Sequence, residues 1–324
     1  DRPRFTLANS EHGANSELMA TTLTLNSGHK MPTLGFGTFL SKPGEAGASV
    51  REALKTGYRA VDCAPVYGNE PEIGAVFDEF FSNPESGVKR EDVFITSKLR
   101  AGQMHPDEVR PNLEKTLQDL KLTYLDLFLI HMPGPVEGSP SKPRRGGFGL
   151  QDTWRAMEAC QEAGLCRSIG VSNYNAVLLN DVLSYAKIPP AVNQVELHPY
   201  LQQPKLCNFA KANGVVMTAY APLGAPGLSD KGADHGSGVV PLLQHETIIG
   251  VGKKYSKTAG QVLIRYALDR GLTVIPKSVT PTRIQENFNV LDFQLTEDDM
   301  AAIGGLDQNL RFFDQEWTGV PMFA

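Results

Sequence analysis

Short apolar runs alternate with segments of helical periodicity along most of this 324-residue chain. Eight of the runs are almost continuously apolar and rich in β-branched residues, as expected of parallel strands that are buried on both faces. The pattern predicts strands within residues 34–38, 58–64, 93–99, 124–131, 167–172, 191–197, 215–222 and 272–278.

Segments with apolar residues at helical spacing separate these runs. Several carry helix-boundary signals: Pro106 is followed by two acidic residues, Thr280 precedes Pro281 in an N-cap arrangement, and Gly164 follows a periodic stretch. The pattern predicts helices at 45–57, 71–82, 106–122, 151–164, 174–187, 203–214, 257–271 and 281–291.

Eight strand–helix units with right-handed crossovers favour an α/β fold of the (β/α)₈ TIM-barrel type over an open doubly wound sheet. The glycine-rich phosphate turns typical of open sheets, G-x-G-x-x-G after a strand and G-x-x-x-x-G-K-[ST], do not occur. Polar residues also follow many different strands, which is where barrel enzymes build their sites. We expect one barrel domain over residues 21–324, preceded by a flexible extension at 1–20.

Additional segments lie outside the eight units. Residues 23–35 alternate around Asn-Ser-Gly and predict a β-hairpin, which we expect to cover the N-terminal end of the barrel. Three long irregular stretches occur at 133–149, at 224–238 and after Gly305. The first two follow the fourth and seventh strands, so we expect long loops on the C-terminal face.

The composition excludes several classes of protein. A net charge of −5 gives no electrostatic support for a nucleic-acid partner, and no apolar run is long enough to predict a membrane-spanning helix. The four cysteines show neither C-x-x-C pairing nor metal-ligand spacing. We expect a cytoplasmic protein with free thiols, no metal and a small-molecule partner.

Ionisable side chains follow three successive predicted strands: Asp62, Lys98 and His131, with Tyr67 in the loop after Asp62. Each alone is most simply a structural or surface residue, but neighbouring strands are only about 4.8 Å apart, so the four can converge. A buried lysine needs a carboxylate partner, and its ammonium favours phenolate, which predicts a lowered pKa for Tyr67. Tyr67 would then act as a general acid toward a developing alkoxide, oriented by His131.

Seven motifs in this order carry a resemblance to a known family. They are GYRAVDCAPVYGNEPEIG (57–74), FITSKL (94–99), DLFLIHMP (126–133), RSIGVSNY (167–174), NQVELHPY (193–200), AYAPLG (219–224) and IPKSVTPTRIQENFNVLDF (275–293). Over residues 22–310 the chain resembles the aldo-keto reductase superfamily, in particular its aldose reductase and aldehyde reductase branch. The resemblance implies a monomeric, NADPH-dependent carbonyl reductase with Asp62, Tyr67, Lys98 and His131 as its catalytic tetrad.

The resemblance also implies an extended binding site for NADPH. Ser172, Asn173 and Gln194 would bind the nicotinamide carboxamide, and Tyr220 would stack on the ring. The expected contacts to the remainder of the cofactor come from Leu223, Lys277, Ser278, Val279, Thr280, Arg283, Glu286 and Asn287. A cluster of cations and hydroxyls at a helix start also suits a 2′-phosphate on physical grounds, which favours NADPH over NADH. We expect the loop at 224–238 to fold over the pyrophosphate.

The expected substrate pocket includes Phe39, Val66, Arg100 and Met132. Met132 stands where the resembling branch usually has tryptophan, and Arg100 where it often has an aromatic residue, so the substrate stays open. Arg100 favours anionic carbonyl compounds. The aromatic residues of the C-terminal tail provide candidates to replace the missing rings: Phe312, Phe313 and Trp317.

Two other functions are weighed against carbonyl reduction. One is an NADP(H)-binding regulatory protein of the same fold with little turnover, which the intact tetrad disfavours. The other is a metal-dependent barrel hydrolase, but the seven histidines form no H-x-H or H-E-x-x-H pair.

Overall fold

A computed structural model describes residues 22–100, 102–134, 148–226 and 238–313. Within these residues the strands are β1 (Thr22–Thr24), β2 (Lys30–Pro32), β3 (Phe36–Gly37), β4 (Ala60–Asp62), β5 (Phe94–Leu99), β6 (Leu125–Ile130), β7 (Cys166–Ser172), β8 (Val192–Glu196), β9 (Val216–Tyr220) and β10 (Thr273–Val274). From β3 to β10, each strand pairs in parallel with the next along the chain. Seven of the eight predicted runs contain one of these strands whole, and β7 begins one residue before its predicted run.

The parallel sheet closes on itself through its first and last strands. Leu34 forms a parallel bridge with Val274. The amide of Gly35 donates to the carbonyl of Val274 at 2.8 Å, and the amide of Gly37 donates to Pro276 at 3.0 Å. Closure of eight parallel strands with intervening helices confirms the (β/α)₈ prediction.

The helices within the described residues are α1 (Glu45–Thr56), α2 (Glu70–Ser82), α3 (Pro106–Leu120), α4 (Leu150–Glu162), α5 (Ala176–Tyr185), α6 (Pro204–Ala212), α7 (Glu246–Tyr255), α8 (Ala259–Asp269), α9 (Pro281–Phe288) and α10 (Glu297–Gly304). All eight predicted helices are confirmed. The sequence did not predict α7 and α10, which lie outside the regular alternation of strands and helices. Both nevertheless start at a side chain that caps them: His245 accepts from Thr247, and Thr296 accepts from Asp299.

The side chains inside the barrel are apolar at the end near the hairpin and polar at the opposite end. Ala60, Phe94 and Leu127 face inward and pack with Leu25 and Met31 of the β1–β2 region. This contact confirms the predicted hairpin and its place at the N-terminal end. Because side chains alternate along a strand, the same inward face carries polar residues toward the C-terminal strand ends.

The outward faces of the strands pack against the helices. Val61, Ile95 and Phe128 are fully or almost fully buried in the large cluster between sheet and helices. Cys63 lies in this cluster, as alternation along β4 predicts, and burial raises the pKa of its thiol. The sulfur therefore faces away from the barrel interior.

Parts of the three long irregular stretches lie outside the described residues: 135–147, 227–237 and 314–324. They include Trp317 and most of the predicted loop over the pyrophosphate, so both predictions stay predictions. Among the described helices, none combines the length and apolar character needed to cross a membrane. The described residues contain no group of three or more His, Cys, Asp or Glu side chains placed to hold a metal ion.

Candidate active site

The ammonium group of Lys98 is the centre of the predicted tetrad. Its Nζ lies 2.6 Å from Oδ2 of Asp62, 2.9 Å from the carbonyl oxygen of Cys63 and 3.3 Å from the hydroxyl oxygen of Tyr67. Lys98 is only 1% exposed, so its charge needs these three oxygens in place of water. The other carboxylate oxygen of Asp62 accepts from Nε2 of Gln194 at 2.8 Å, which links the tetrad to β8.

A single helical turn carries Tyr67 back over the strand end. Residues Pro65–Tyr67 form a 3₁₀ helix directly after β4. The turn closes at Gly68, which has φ 69° and donates its amide to Pro65 at 3.1 Å. Glycine adopts this left-handed conformation without strain. The proline and glycine therefore explain why Tyr67 leaves the strand direction and meets Lys98.

The pKa of Tyr67 differs from the sequence-based expectation. The sequence predicts that the lysine lowers this pKa toward neutrality, but in the structure the pKa of Tyr67 is raised to about 12. Removal of the phenol from water is the largest effect, and it outweighs the attraction to Lys98. Lys98 itself loses hydration, but Asp62 and Tyr67 more than offset this loss and raise its pKa above the ordinary value. The site therefore holds a lysine ammonium beside a neutral phenol.

His131 completes the predicted set from the end of β6. Its ring lies edge-on to the ring of Tyr67, with 5.9 Å between centroids. Burial lowers the pKa of His131 well below its usual value, and the nearby Lys98 lowers it further. The imidazole is consequently neutral, and it retains an N–H donor for an oxygen near Tyr67.

The four residues predicted to bind nicotinamide lie together, and Asn173 contacts the other three. The side-chain amide nitrogen of Asn173 donates to the carbonyl of His131 at 3.0 Å, and its Oδ1 accepts from Tyr220 at 2.8 Å. Ser172 donates to the carbonyl of Gln194 at 2.8 Å. Asn173 has φ 62°, a conformation that asparagine tolerates better than most residues. These contacts join the ends of β6, β7, β8 and β9 beside the tetrad.

The residues predicted to bind the cofactor phosphate lie around the start of α9. Nζ of Lys277 donates to the carbonyl of Leu40 at 3.0 Å, so this lysine spans to the loop after β3. Thr280 occupies the N-cap position, but its hydroxyl makes no capping bond. Its own amide instead donates to the hydroxyl of Ser278 at 3.1 Å. The first turn of α9 therefore has no side-chain cap, and uncapped amides at a helix start can bind an anion.

The remaining predicted cofactor residues differ in exposure. Val279, Arg283 and Glu286 are exposed, whereas Leu223 is partly buried and Asn287 is 7% exposed. Asn287 is thus the most buried of these five residues.

The four residues predicted for the substrate pocket also differ in solvent exposure. Phe39 and Val66 are exposed at the barrel mouth, and the ring of Phe39 lies 4.9 Å from that of Tyr67. Arg100 is exposed directly after β5. Met132 is only 3% exposed, and its sulfur accepts from the amide of Asn173 at 3.1 Å. Met132 thus supports Asn173 from beneath the surface.

One group of residues at the mouth was not predicted as part of the site. Glu196 and His198 follow one another at alternate positions at the end of β8, and both side chains are fully buried. The carboxylate of Glu196 accepts hydrogen bonds from the amides of Phe312 and Phe313. The signal in the sequence was the pair of ionisable residues in "VELH"; nothing in the pattern linked it to a tail more than a hundred residues away.

A separate cavity of about 680 Å³ lies at the other end of the molecule, near the hairpin. Its walls carry charges of both signs, including Lys30, Arg59, Asp92 and Asp126. Asp126 already pairs with Arg90 at 2.7 Å. The tetrad residues do not line this cavity.

The chain matches the family model described as "Aldo/keto reductase family" over residues 33–308. Two relatives are similar to this chain along almost their whole length. The chain is 44% identical over 305 residues to an aldo/keto reductase of Synechocystis, covering 92% of each protein. It is 45% identical over 298 residues to aldo-keto reductase family 1 member A1 of Gallus gallus, covering 90% of each.

A solved structure supports the same relationship. The structure of the aldose reductase from Schistosoma japonicum superposes with a TM-score of 0.83 at 39% sequence identity. The alignment covers 94% of this chain and 98% of that one. Together with the family match, this similarity establishes the family: the chain belongs to the aldo/keto reductases.

Proposed function

We propose that this protein reduces aldehydes and ketones to alcohols with NADPH, and that Tyr67 donates the proton. Membership of the aldo/keto reductase family supports oxidoreductase activity on carbonyl compounds. The observation that carries the finer proposal is the position of Lys98, whose ammonium contacts both Asp62 and the hydroxyl of Tyr67.

The proton donor in this proposal is a neutral phenol. A carbonyl oxygen that becomes an alkoxide gains basicity and takes the proton of Tyr67, while the ammonium of Lys98 stabilises the phenolate left behind. Asp62 keeps Lys98 charged and in place. The neutral imidazole of His131 donates a hydrogen bond to the same carbonyl oxygen and so orients the carbonyl toward Tyr67.

The residues present fit NADPH, which would supply the hydride. Ser172, Asn173 and Gln194 offer side-chain amides and a hydroxyl beside the aromatic ring of Tyr220. These groups suit a flat ring that bears a carboxamide, and Asn173 would exchange one of its present contacts to bind it.

The far end of the cofactor fits the start of α9. Lys277 and Arg283 provide positive charge there, and the uncapped first turn of the helix provides amide donors. An adenosine 2′-phosphate is the group of NADPH, absent from NADH, that such a set favours. We assign Leu223, Ser278, Val279, Thr280, Glu286 and Asn287 to contacts along the same end.

The substrate side is formed by Phe39 and Val66 at the mouth, with Met132 behind Asn173. Arg100 is exposed after β5 and can attract substrates with a negative charge away from the carbonyl. A comparison of kcat/KM for benzaldehyde and 4-carboxybenzaldehyde in the wild type and Arg100→Ala tests this assignment. Loss of preference for the carboxylated aldehyde in Arg100→Ala is the expected result, and an unchanged preference excludes the role.

The substitution Tyr67→Phe tests the mechanism. It removes only the hydroxyl, so turnover of an aromatic aldehyde should fall by about 10²- to 10⁴-fold while NADPH affinity changes little. Tyr124→Phe is the matched control, because Tyr124 packs between Arg90 and Arg167 far from the tetrad. Full turnover by Tyr67→Phe contradicts the mechanism. Tight NADPH binding by the wild type without turnover of any aldehyde favours a regulatory protein instead.

A further inference from the structure

Glu196 is a fully buried carboxylate that the proposed chemistry does not use. It lies at the C-terminal end of β8, and its Oε1 accepts from the amide of Phe312 at 2.7 Å. Its Oε2 accepts from the amide of Phe313 at 3.0 Å. Two successive amides of the C-terminal tail therefore satisfy one buried charge, and charge-assisted bonds of this kind are stronger than neutral ones.

His198 contacts the same carboxylate. Its Nε2 lies 2.9 Å from Oε1 of Glu196, and its ring lies 4.9 Å from the ring of Phe312. Nδ1 of His198 is buried with no hydrogen-bond partner in the described part of the chain. A proton on Nδ1 would be an unsatisfied donor, so the tautomer that fits carries its proton on Nε2 and donates to Glu196.

The ring of Phe313, whose amide contacts Glu196, lies among other aromatic side chains. That ring packs edge-on against Tyr220 with 5.6 Å between centroids, and against Phe39 at 6.2 Å. Phe39 in turn contacts Tyr67. We call the rings of Tyr67, Phe39, Phe313 and Tyr220 the aromatic wall. It extends from the proposed proton donor to the residue proposed to stack on nicotinamide.

We propose that Glu196 is a positioning residue that seats Phe313 in the aromatic wall, and that the wall selects carbonyl compounds bearing a flat aromatic group. The specificity part of this proposal rests on the proposed reductase function. Glu196 contacts the backbone of Phe313 and not the wall itself, so its effect on specificity passes through the tail. Edge-to-face contacts from a fixed ring favour an aromatic substrate over an aliphatic one.

The ratio of kcat/KM for benzaldehyde to that for propanal measures this selection. Phe313→Ala should lower the ratio by about 2- to 10-fold, the range expected for loss of one aromatic contact, through a higher KM for benzaldehyde. Glu196→Gln should lower the ratio in the same direction, because the neutral amide turns an N–H group toward a tail amide. An unchanged ratio in Glu196→Gln, alongside a lowered ratio in Phe313→Ala, overturns the positioning role.

Glu158 provides a matched control for loss of a buried carboxylate. Its side chain is buried, and Oε1 accepts from the successive amides of Lys187 and Ile188 at 2.7 and 2.9 Å. Those bonds join α4 to the segment after α5, away from the aromatic wall. Glu158→Gln should leave the benzaldehyde-to-propanal ratio as in the wild type. If it lowers the ratio as Glu196→Gln does, the effect is general destabilisation and the proposal is wrong.

Amide hydrogen exchange of a peptide containing Phe312 and Phe313 measures their hydrogen bonds to Glu196 independently of enzyme activity. Protection of these amides should fall by about tenfold in Glu196→Gln, the factor that one hydrogen bond is worth, and stay high in Glu158→Gln. Rapid exchange in the wild type contradicts the anchor. If neither aldehyde is turned over, the proposed function and the proposed specificity are both wrong. The hydrogen-exchange experiment still shows whether Glu196 binds the two tail amides. Should Glu196→Gln fail to fold, Glu196→Asp withdraws the charge by one methylene and tests the same contact.

Discussion

The hydroxyl of Tyr67 lies 3.3 Å from the ammonium of Lys98, yet the pKa of Tyr67 is raised to about 12. A cation at this distance favours phenolate, but the loss of hydration around the phenol has the larger effect. The pair is therefore arranged to keep a proton on Tyr67 until an acceptor with higher basicity arrives. In the proposed mechanism, Lys98 stabilises the phenolate that forms when Tyr67 gives up its proton.

This arrangement predicts the pH dependence of reduction. The donor must be protonated, so activity is lost only as pH rises through the pKa of Tyr67. We expect kcat/KM for aldehyde reduction to show no tyrosine-dependent decline from about pH 6 to pH 10. Steady-state rates across this range, with protein integrity checked by circular dichroism, provide the measurement. A decline centred near pH 7 that disappears in Tyr67→Phe contradicts the assignment of a raised pKa.

The Asp62–Lys98 pair makes a prediction about stability. Both residues are almost fully buried, with side-chain exposures of 0% for Lys98 and 5% for Asp62. Asp62→Asn leaves a buried ammonium without its counter-charge, which should cost about 3–5 kcal/mol in the free energy of unfolding. Urea denaturation followed by fluorescence measures the loss.

Two variants control this experiment. Glu79→Gln breaks the exposed ion pair with Arg51 and should leave stability almost unchanged. Combining Asp62→Asn with Lys98→Met removes both charges, so the double variant should recover part of the stability lost by Asp62→Asn alone. A double variant less stable than Asp62→Asn argues against an uncompensated charge as the cause.

The sequence predicted the barrel well because its strands are buried on both faces and its helices are regular. Asp62, Lys98 and His131 could also be placed together, since parallel strands bring their carboxyl ends to one edge of the barrel. The pKa of Tyr67 could not be predicted in this way. It depends on how much water the folded loops exclude, and a pattern of residues does not contain that quantity.

The contact of Glu196 with the amides of Phe312 and Phe313 could not be predicted from the sequence either. Residues 196 and 312 are separated by 116 positions, and no pattern in the sequence connects them. The two unpredicted helices α7 and α10 are local counterparts, since both lie outside the regular alternation of strands and helices. Regularly repeated spacing therefore predicts structure well, whereas a single tertiary contact between distant residues leaves no pattern in the sequence.

The positive charge of Lys277 near the start of α9 predicts a preference for NADPH over NADH that a substitution can change. Lys277→Met removes the charge proposed to bind the 2′-phosphate, so KM for NADPH should rise by about 10- to 100-fold. KM for NADH, which has no such phosphate, should change much less. Initial rates with both cofactors measure the difference, and Lys253→Met on the exposed face of α7 is the control. Equal increases for NADPH and NADH indicate that Lys277 acts through the Leu40 loop and not through the phosphate.

Glu70 at the start of α2 makes a prediction about stability against pH. The residue is 1% exposed, and its carboxyl group accepts from the hydroxyls of Ser97 at 2.6 Å and Thr116 at 3.3 Å. Burial raises its pKa from 4.5 to about 7, although both hydroxyls oppose the shift. Between these two values the folded state binds more protons than the unfolded state, so the free energy of unfolding must fall as pH rises.

The contribution of Glu70 is therefore complete below about pH 4.5 and is lost as pH rises through about 7, a total of roughly 3 kcal/mol. Glu70→Gln keeps acceptors for Ser97 and Thr116 but cannot ionise, so its stability should fall less than that of the wild type between pH 5 and pH 8. Urea denaturation at the two pH values measures this difference, with exposed Glu85→Gln expected to behave like the wild type. Parallel pH dependence in the wild type and Glu70→Gln means that Glu70 is ionised throughout this range. The two hydroxyls then stabilise its charge against burial.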